Sequence, residues 1–157
     1  MKRILFISST GGHLTELLQL KDMFRSCDFH IITERTEANL WLEDAYGKER
    51  VDWLIYGTKS HLFTYLFKFA WNCVKSLYLY WKIRPEYVVT TGTHTAVPMC
   101  RIVHRHGGKV IWIETFANAT TPTRAGKMIY PIADLFLVQW ESMKQVYPDA
   151  QYRGWIF

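Results

Sequence analysis

The sequence lacks the features that mark several classes of protein. It has only three cysteines in 157 residues, far apart and without a CxxC pair, which argues against a disulfide framework or a zinc site. No stretch reaches about 18 uncharged apolar residues, so no membrane-spanning helix is predicted. The first residues do not have the pattern of a signal peptide, and there are no repeats and no linker. We expect one domain over residues 1–157, with no metal site and no bound cofactor.

A block of consecutive lysines and arginines is also missing, although the formal net charge is +5. Because the basic residues are spread along the chain, we expect no nucleic-acid partner. A basic balance remains compatible with anionic lipids or phosphorylated ligands. Since 49% of the residues are apolar and 16% are aromatic, the chain is expected to fold around a substantial core.

Short apolar runs alternate with longer amphipathic segments along the whole chain. The apolar runs predict strands near 2–8, 29–33, 51–56, 86–90, 109–114 and 134–138. The segments between them predict helices near 13–25, 36–45, 60–82, 94–106 and 123–131. This alternation is typical of βαβ units. We therefore predict an α/β fold with a Rossmann-like, mostly parallel sheet and flanking helices.

The segment SSTGGH follows the first predicted strand, at the sheet edge where such folds bind ligands. Gly11 and Gly12, after Thr10, allow a sharp turn and close approach of the backbone to a ligand. A helix that begins near His13 would point its positive end at an anion, and His13 is a candidate catalytic base. The alternative is a tight turn beside a solvated histidine.

A second loop rich in glycine and threonine, TTGTHTAVP, follows the fourth predicted strand at the same edge. Gly92 gives backbone freedom, Thr91 and Thr93 offer hydroxyl groups, and His94 lies near a helix start. Pro98 fits the first turn of that helix. We assign these residues to an acceptor or phosphate site, and the alternative is a helix cap without a ligand.

Two acidic residues end predicted strands. Glu34 lies where a dinucleotide-binding acid would hold a ribose hydroxyl, but the first loop is not GxGxxG, which favours a solvated loop charge. Glu114 ends the strand VIWIE and is a candidate catalytic base or acceptor for a sugar hydroxyl; the alternative is a cap of the following turn. Arg124 and Lys127 in the next helix either meet an anion or form a solvated face.

The predicted helix over residues 60–82 has far more apolar surface than one sheet can cover. At about 100° per residue its polar residues span only about 120°, whereas a helix on a sheet needs an apolar stripe of about 100° or more. The rest of the helix surface is rich in aromatic residues, which predicts docking on a membrane interface, where lysines reach anionic headgroups. The alternative is that a partner protein covers this surface. The residues assigned to the membrane are Phe67, Lys68, Trp71, Lys75, Tyr78 and Lys82.

A family resemblance is carried by SSTGGHLTELL, TTGTHTAVP, IWIETFANATTPTRAGKMIYPIADLFLVQWESM and the ending YRGWIF. Together these stretches resemble the Alg14-like oligosaccharide biosynthesis proteins. The likeness is closer to the bacterial capsule and exopolysaccharide members, which act as enhancer subunits of a hexosyltransferase such as a β-1,4-galactosyltransferase. The family is in turn similar to the N-terminal, acceptor half of a GT-B glycosyltransferase such as MurG.

The resemblance implies one subunit of a two-component glycosyltransferase, inactive alone, peripheral to the cytoplasmic face of the cell membrane. It would bind a polyprenyl-diphosphate-linked sugar and recruit or activate a donor-binding partner that holds the UDP-sugar. By this likeness Gly11, Gly12 and His13 face the lipid diphosphate, with residues 92–98 and Glu114 beside them. Two other interpretations stay open: a membrane scaffold without catalytic residues, and a nucleotide-binding α/β enzyme that acts alone.

The C-terminal residues are predicted to contact the donor-binding partner. By the resemblance, QYRGWIF lies where a GT-B enzyme crosses to its second domain. Large apolar side chains exposed there would gain about 1.5–3 kcal/mol each on burial, and arginine beside aromatic residues is typical of interface hot spots. The alternative is a tail folded back on its own sheet. The residues assigned to this interface are Arg153, Trp155, Ile156 and Phe157.

Overall fold

The computed structural model describes residues 1–57 and 62–156, without the side chains of residues 62–64. Within these residues, seven strands form one parallel sheet in the order β3-β2-β1-β4-β5-β6-β7. The strands are β1 (Arg3–Ile7), β2 (Asp28–Glu34), β3 (Val51–Leu54), β4 (Tyr87–Thr90), β5 (Lys109–Ile113), β6 (Leu135–Val138) and β7 (Gln151–Tyr152). The helices are α1 (Gly12–Leu18), α2 (Trp41–Tyr46), α3 (Leu62–Ile83), α4 (Val97–Arg105) and α5 (Arg124–Ile129).

The predicted fold class is confirmed, and the differences lie in one additional strand and in element lengths. Strand β7 was not predicted, because two residues are too short to show a period. The first predicted helix is shorter than expected: α1 ends at Leu18, and the chain continues as the 3-10 helix Lys21–Ser26. Hydrogen bonds between residues three apart, such as the one from the Met23 N–H to the Leu20 carbonyl at 3.0 Å, are typical of this tighter helix.

Helices cover both faces of the sheet because successive side chains of a strand point to opposite sides. Leu5 and Ile7 of β1 face a core that also contains residues of α3, α4 and α5. Phe6, between them, faces a second cluster formed with α1 and the 3-10 helix after it. Leu5, Phe6 and Ile7 of β1 are therefore fully buried, whereas Arg3 at the start of the strand is exposed.

Helix α3 presents two of its polar residues, together with apolar ones, to the rest of the protein. Asn72 is 6% exposed and Ser76 is fully buried, and they lie on the same side as Leu79 and Ile83. The Asn72 side chain accepts from the Ile55 N–H and donates to its carbonyl, both at 2.9 Å. This pairing satisfies backbone groups beyond the end of β3. The predicted start of this helix at residue 60 lies outside the described residues.

The opposite side of α3 is an exposed apolar surface, which we call the aromatic face. Its members are Leu66, Phe67, Trp71, Val74, Leu77, Tyr78 and Trp81. The three lysines predicted to reach a membrane lie along its flank: Lys68 and Lys75 are half-buried, and Lys82 forms a surface ion pair with Asp52 at 2.8 Å. No helix among the described residues has the length and hydropathy needed to cross a membrane.

The C-terminal residues partly return to their own domain. After β7 has paired with β6, the Ile156 side chain packs against the second core cluster, and its N–H donates to Gln139 Oε1 at 3.2 Å. Trp155 remains 56% exposed and contacts the Phe116 and Trp140 rings at 5.3 Å. Ile156 is therefore part of the fold, whereas Trp155 is accessible; Phe157 lies outside the described residues.

Candidate functional site

A cleft of about 650 Å³ lies at the carboxyl edge of the sheet. It is built by the loop after β1, the loop after β4, the first turns of α3 and the start of α5. Its lining residues are Ser9, His13, Tyr65, Gly92, Thr93, His94, Thr123, Arg124, Ala125 and Met128. The cleft thus brings together the two glycine-containing loops that the sequence places at this edge.

His13 is held in the cleft by two reciprocal hydrogen bonds with Thr91. Its Nδ1 lies 3.1 Å from the Thr91 carbonyl oxygen, and the Thr91 hydroxyl donates to the His13 carbonyl at 2.6 Å. A carbonyl can only accept, so Nδ1 carries the proton and the neutral ring keeps its lone pair on Nε2. This tautomer is the one that a general base in the cleft requires.

Thr91, predicted to be part of the acceptor or phosphate site, does not line the cleft. It is fully buried, and its hydroxyl is occupied by the His13 carbonyl, so it positions His13 instead of meeting a ligand. Its neighbour Gly92 does line the cleft, with a φ of 81°. A Cβ there would lie 3.0 Å from the Trp112 ring and 3.2 Å from the Ile113 carbonyl, so only glycine fits both the backbone and the space.

Thr10, Gly11 and Gly12, directly before His13, lie beside the cleft without lining it, whereas Ser9 lines it. The Thr10 hydroxyl accepts a hydrogen bond from Asn39 Nδ2 at 2.8 Å, which ties this loop to the segment before α2. Gly11, with a φ of 78°, and Gly12 are exposed, with nothing within 4 Å of a Cβ placed on either. The turn therefore leaves the backbone open to solvent, but the seven-residue α1 is short for an anion site of its own.

Glu114 lies under the cleft and does not face it. It is 1% exposed; Oε2 accepts from the Trp112 indole at 2.9 Å, and Oε1 accepts from the Thr123 N–H at 3.1 Å. Gly126 packs directly on this carboxylate. The structure thus favours the capping alternative: Glu114 fixes the start of α5, whose residues Arg124 and Met128 line the cleft.

Two further buried carboxylates brace the cleft loops. Glu34 accepts from the Thr95 hydroxyl at 2.8 Å and from the Thr10 backbone, which links the loops after β1 and β4. Glu16 accepts from the Thr115 hydroxyl at 3.1 Å and the Phe116 N–H at 3.0 Å. Burial raises the pKa of both carboxyl groups, although these hydrogen bonds oppose the shift. No sequence pattern indicates this role for Glu16, because it lies inside a helical pattern.

Aromatic and thioether side chains from α3 and α5 also line the cleft. His94 lies 5.7 Å from the Tyr65 ring and 6.4 Å from the Phe69 ring, between ring centroids. Tyr65 and Met128 line the cleft together with Ser9 of the SSTGGH segment, and no sequence pattern singles out Tyr65 or Met128. Within the described ranges, no group of three or more histidine, cysteine or acidic side chains could hold a metal ion.

Comparison with known sequences gives the family. Residues 58–156 match the model described as "Oligosaccharide biosynthesis protein Alg14 like". The human UDP-N-acetylglucosamine transferase subunit ALG14 is 24% identical over 179 residues, which cover 96% of this chain and 81% of that protein. The subunit of the same name from Candida albicans is 31% identical over 101 residues, covering 60% of this chain and 44% of that one.

Comparison with solved structures supports the fold. MurG from Acinetobacter baumannii superposes with a TM-score of 0.72 at 16% identity, over 90% of this chain and 43% of that one. A UDP-N-acetylglucosamine 2-epimerase from Rickettsia bellii gives 0.73 at 13% identity, over 99% of this chain and 45% of that one. The chain spans less than half of each of these structures, and identities this low show the fold alone. The family resemblance read from the sequence is confirmed by the match over residues 58–156, and the chain belongs to the Alg14-like family of oligosaccharide biosynthesis proteins.

Proposed function

We propose that this chain is the acceptor-binding subunit of a two-component glycosyltransferase. The observation that carries the proposal is the cleft at the carboxyl edge, where the Thr91 carbonyl selects the neutral tautomer of His13 that has its lone pair on Nε2. The relatives' designation as UDP-N-acetylglucosamine transferase subunits supports both the reaction class and the need for a second component. That component would hold the UDP-sugar.

The proposed step is the transfer of a hexose from the UDP-sugar to a hydroxyl of the acceptor sugar. His13 Nε2 takes the hydroxyl proton while the hydroxyl oxygen bonds to the anomeric carbon of the donor. The bond from that carbon to the diphosphate breaks, and UDP leaves with the bonding electron pair. Glu114 acts indirectly in this account, by holding Thr123 and hence the α5 wall of the cleft.

The acceptor we propose is a polyprenyl-diphosphate-linked sugar at the cytoplasmic face of the cell membrane. The aromatic face of α3 supports a peripheral position there, since Phe67, Trp71 and Tyr78 are 79%, 58% and 65% exposed and such side chains favour the membrane interface. Lysines along its flank suit anionic headgroups. The more specific setting, a capsular or exopolysaccharide pathway with a β-1,4-galactosyl product, rests on the motif resemblance alone.

The donor-binding partner is proposed to dock beside the C-terminal residues. Trp155 is 56% exposed, and Arg153 next to it is exposed as well. An aromatic ring beside an arginine is a frequent hot-spot combination. Ile156 contributes by holding this segment against the domain, because its side chain is packed on the core.

The direct test of the site is His13→Ala in the assembled two-component enzyme. Loss of a general base costs about 10²- to 10⁴-fold in rate, so we expect that loss with an unchanged melting temperature and unchanged association. His13→Gln is the matched control for shape and hydrogen bonding, and it should lose activity as well. Full activity in either variant would instead favour the scaffold interpretation.

A further inference from the structure

Arg124 provides a fixed positive charge in the cleft. It is exposed at the first position of α5, and the described residues that line the cleft include no carboxylate. Within the described chain, the Arg124 guanidinium has no ion pair or hydrogen bond. Lys127, one turn further along α5, is also exposed but does not line the cleft. The guanidinium is thus available to a ligand that enters the cleft.

Thr93 adds a second polar group to the same cleft. It is 7% exposed, and its hydroxyl is one of the buried polar atoms without a hydrogen-bond partner among the described residues. An unpaired buried hydroxyl costs free energy, which a ligand oxygen would recover. Thr93 sits on the loop after β4, whereas Arg124 follows the loop after β5, so the two groups come from different elements.

We propose that Arg124 and Thr93 bind the diphosphate of the acceptor, and that Tyr65 and Met128 contact the first unit of its lipid. This inference rests on the proposed function, which makes the acceptor lipid-linked. The planar guanidinium can donate to two oxygens at once, which suits adjacent phosphate groups better than a lone phosphate. Tyr65 and Met128 supply apolar surface in the same cleft.

The test measures binding of farnesyl diphosphate, farnesyl monophosphate and inorganic pyrophosphate to the full chain by isothermal titration calorimetry. We expect farnesyl diphosphate to bind most tightly, because it alone offers both phosphates and a lipid. Equal affinity for the monophosphate would overturn the diphosphate assignment. Equal affinity for pyrophosphate would overturn the lipid contact and leave a plain phosphate site.

The variants separate a placed guanidinium from general charge. Arg124→Gln should weaken farnesyl diphosphate binding about 10- to 100-fold, the range expected for losing a hydrogen-bonded charge. Lys127→Gln removes the same charge from the same helix and should change the affinity less than about threefold. Equal losses in the two variants would refute the role of Arg124.

Thr93→Val tests the second group, because it removes the hydroxyl with little change of shape. We expect weaker diphosphate binding with a melting temperature that does not fall, and unchanged binding would remove Thr93 from the site. Failure of this binding site is distinguishable from failure of the proposed function. If the two-component enzyme transfers sugar in a His13-dependent way while Arg124→Gln binds normally, only the assignment of the diphosphate site is wrong.

Discussion

Replacing Phe67, Trp71 and Tyr78 with serine is expected to release the chain from anionic vesicles without unfolding it. These side chains lie on the aromatic face of α3, and they are 79%, 58% and 65% exposed. The helix is held to the domain from its other side, where Leu79 and Ile83 are buried. The substitutions therefore remove surface that the folded chain does not use for its own packing.

The size of the effect follows from those exposed fractions. Full burial of a large apolar side chain contributes about 1.5–3 kcal/mol, so a side chain about two-thirds exposed can gain about 1–2 kcal/mol at a membrane interface. Three such side chains supply about 3–6 kcal/mol, which corresponds to roughly two to four orders of magnitude in vesicle affinity. The lysines on the flank would add a salt-dependent contribution that the triple variant retains.

Co-sedimentation with vesicles that contain anionic lipid, across a lipid titration, gives this affinity. The matched control replaces Met23, Leu40 and Trp41, which are 43%, 40% and 48% exposed away from α3, and it should bind as the unchanged chain does. Melting temperatures of both variants check the fold. Unchanged binding of the α3 variant would refute membrane docking and assign the aromatic face to a partner protein.

Three further predictions follow from the packing and the charges. Gly126→Ala should lower the free energy of unfolding by about 1–3 kcal/mol in chemical denaturation, because the new methyl group would overlap the Glu114 carboxylate; unchanged stability would show that this packing yields easily. Burial raises the pKa of Glu34 above its ordinary 4.5, so its contribution to stability is complete below that pH and is lost as the pH rises through the folded pKa. Glu34→Gln should therefore flatten the fall in unfolding free energy as the pH rises above 4.5, and an unaltered slope would contradict this. Replacing both Arg153 and Trp155 with alanine should weaken association with the donor-binding partner at least about tenfold in a pull-down titration while vesicle binding stays unchanged; full association would exclude this docking surface.

Sequence patterns predict best the strands whose side chains are buried on both faces of the sheet. Leu5, Phe6 and Ile7 are buried on both faces of the sheet, and the apolar run that contains them predicts β1 directly. Strand β7 has two exposed residues, so neither length nor pattern could indicate it. Its place is set by tertiary pairing with β6.

The orientation of α3 shows where pattern reasoning fails. A polar stripe ordinarily faces water, yet here Asn72 turns inward because the backbone of Ile55 needs hydrogen-bond partners. A helical pattern contains no information about such a distant backbone group. The sequence indicates how wide the apolar surface of α3 is. It does not indicate which side of the helix packs on the domain.

The sequence indicates which loops form the candidate site, but not which side chains of those loops face the cleft. Strand ends in a parallel sheet meet at one edge, which brings His13 and Gly92 into one cleft, as the loops predicted. Glu114 also follows a strand, but its neighbours Trp112 and Thr123 occupy both of its oxygens. Whether a side chain at a strand end faces the cleft or the core depends on such local partners, which the sequence does not reveal.

The measurement that tests the central claim most directly is sugar transfer reconstituted from separate components. The chain and a donor-binding partner, identified by co-purification from native cells, are assayed alone and together with UDP-sugars and a polyprenyl-diphosphate-linked acceptor. We predict transfer only when both are present, and its loss when His13→Ala replaces the unchanged chain in an assembled complex. Transfer by this chain without any partner would contradict the account, as would equal transfer by the partner alone.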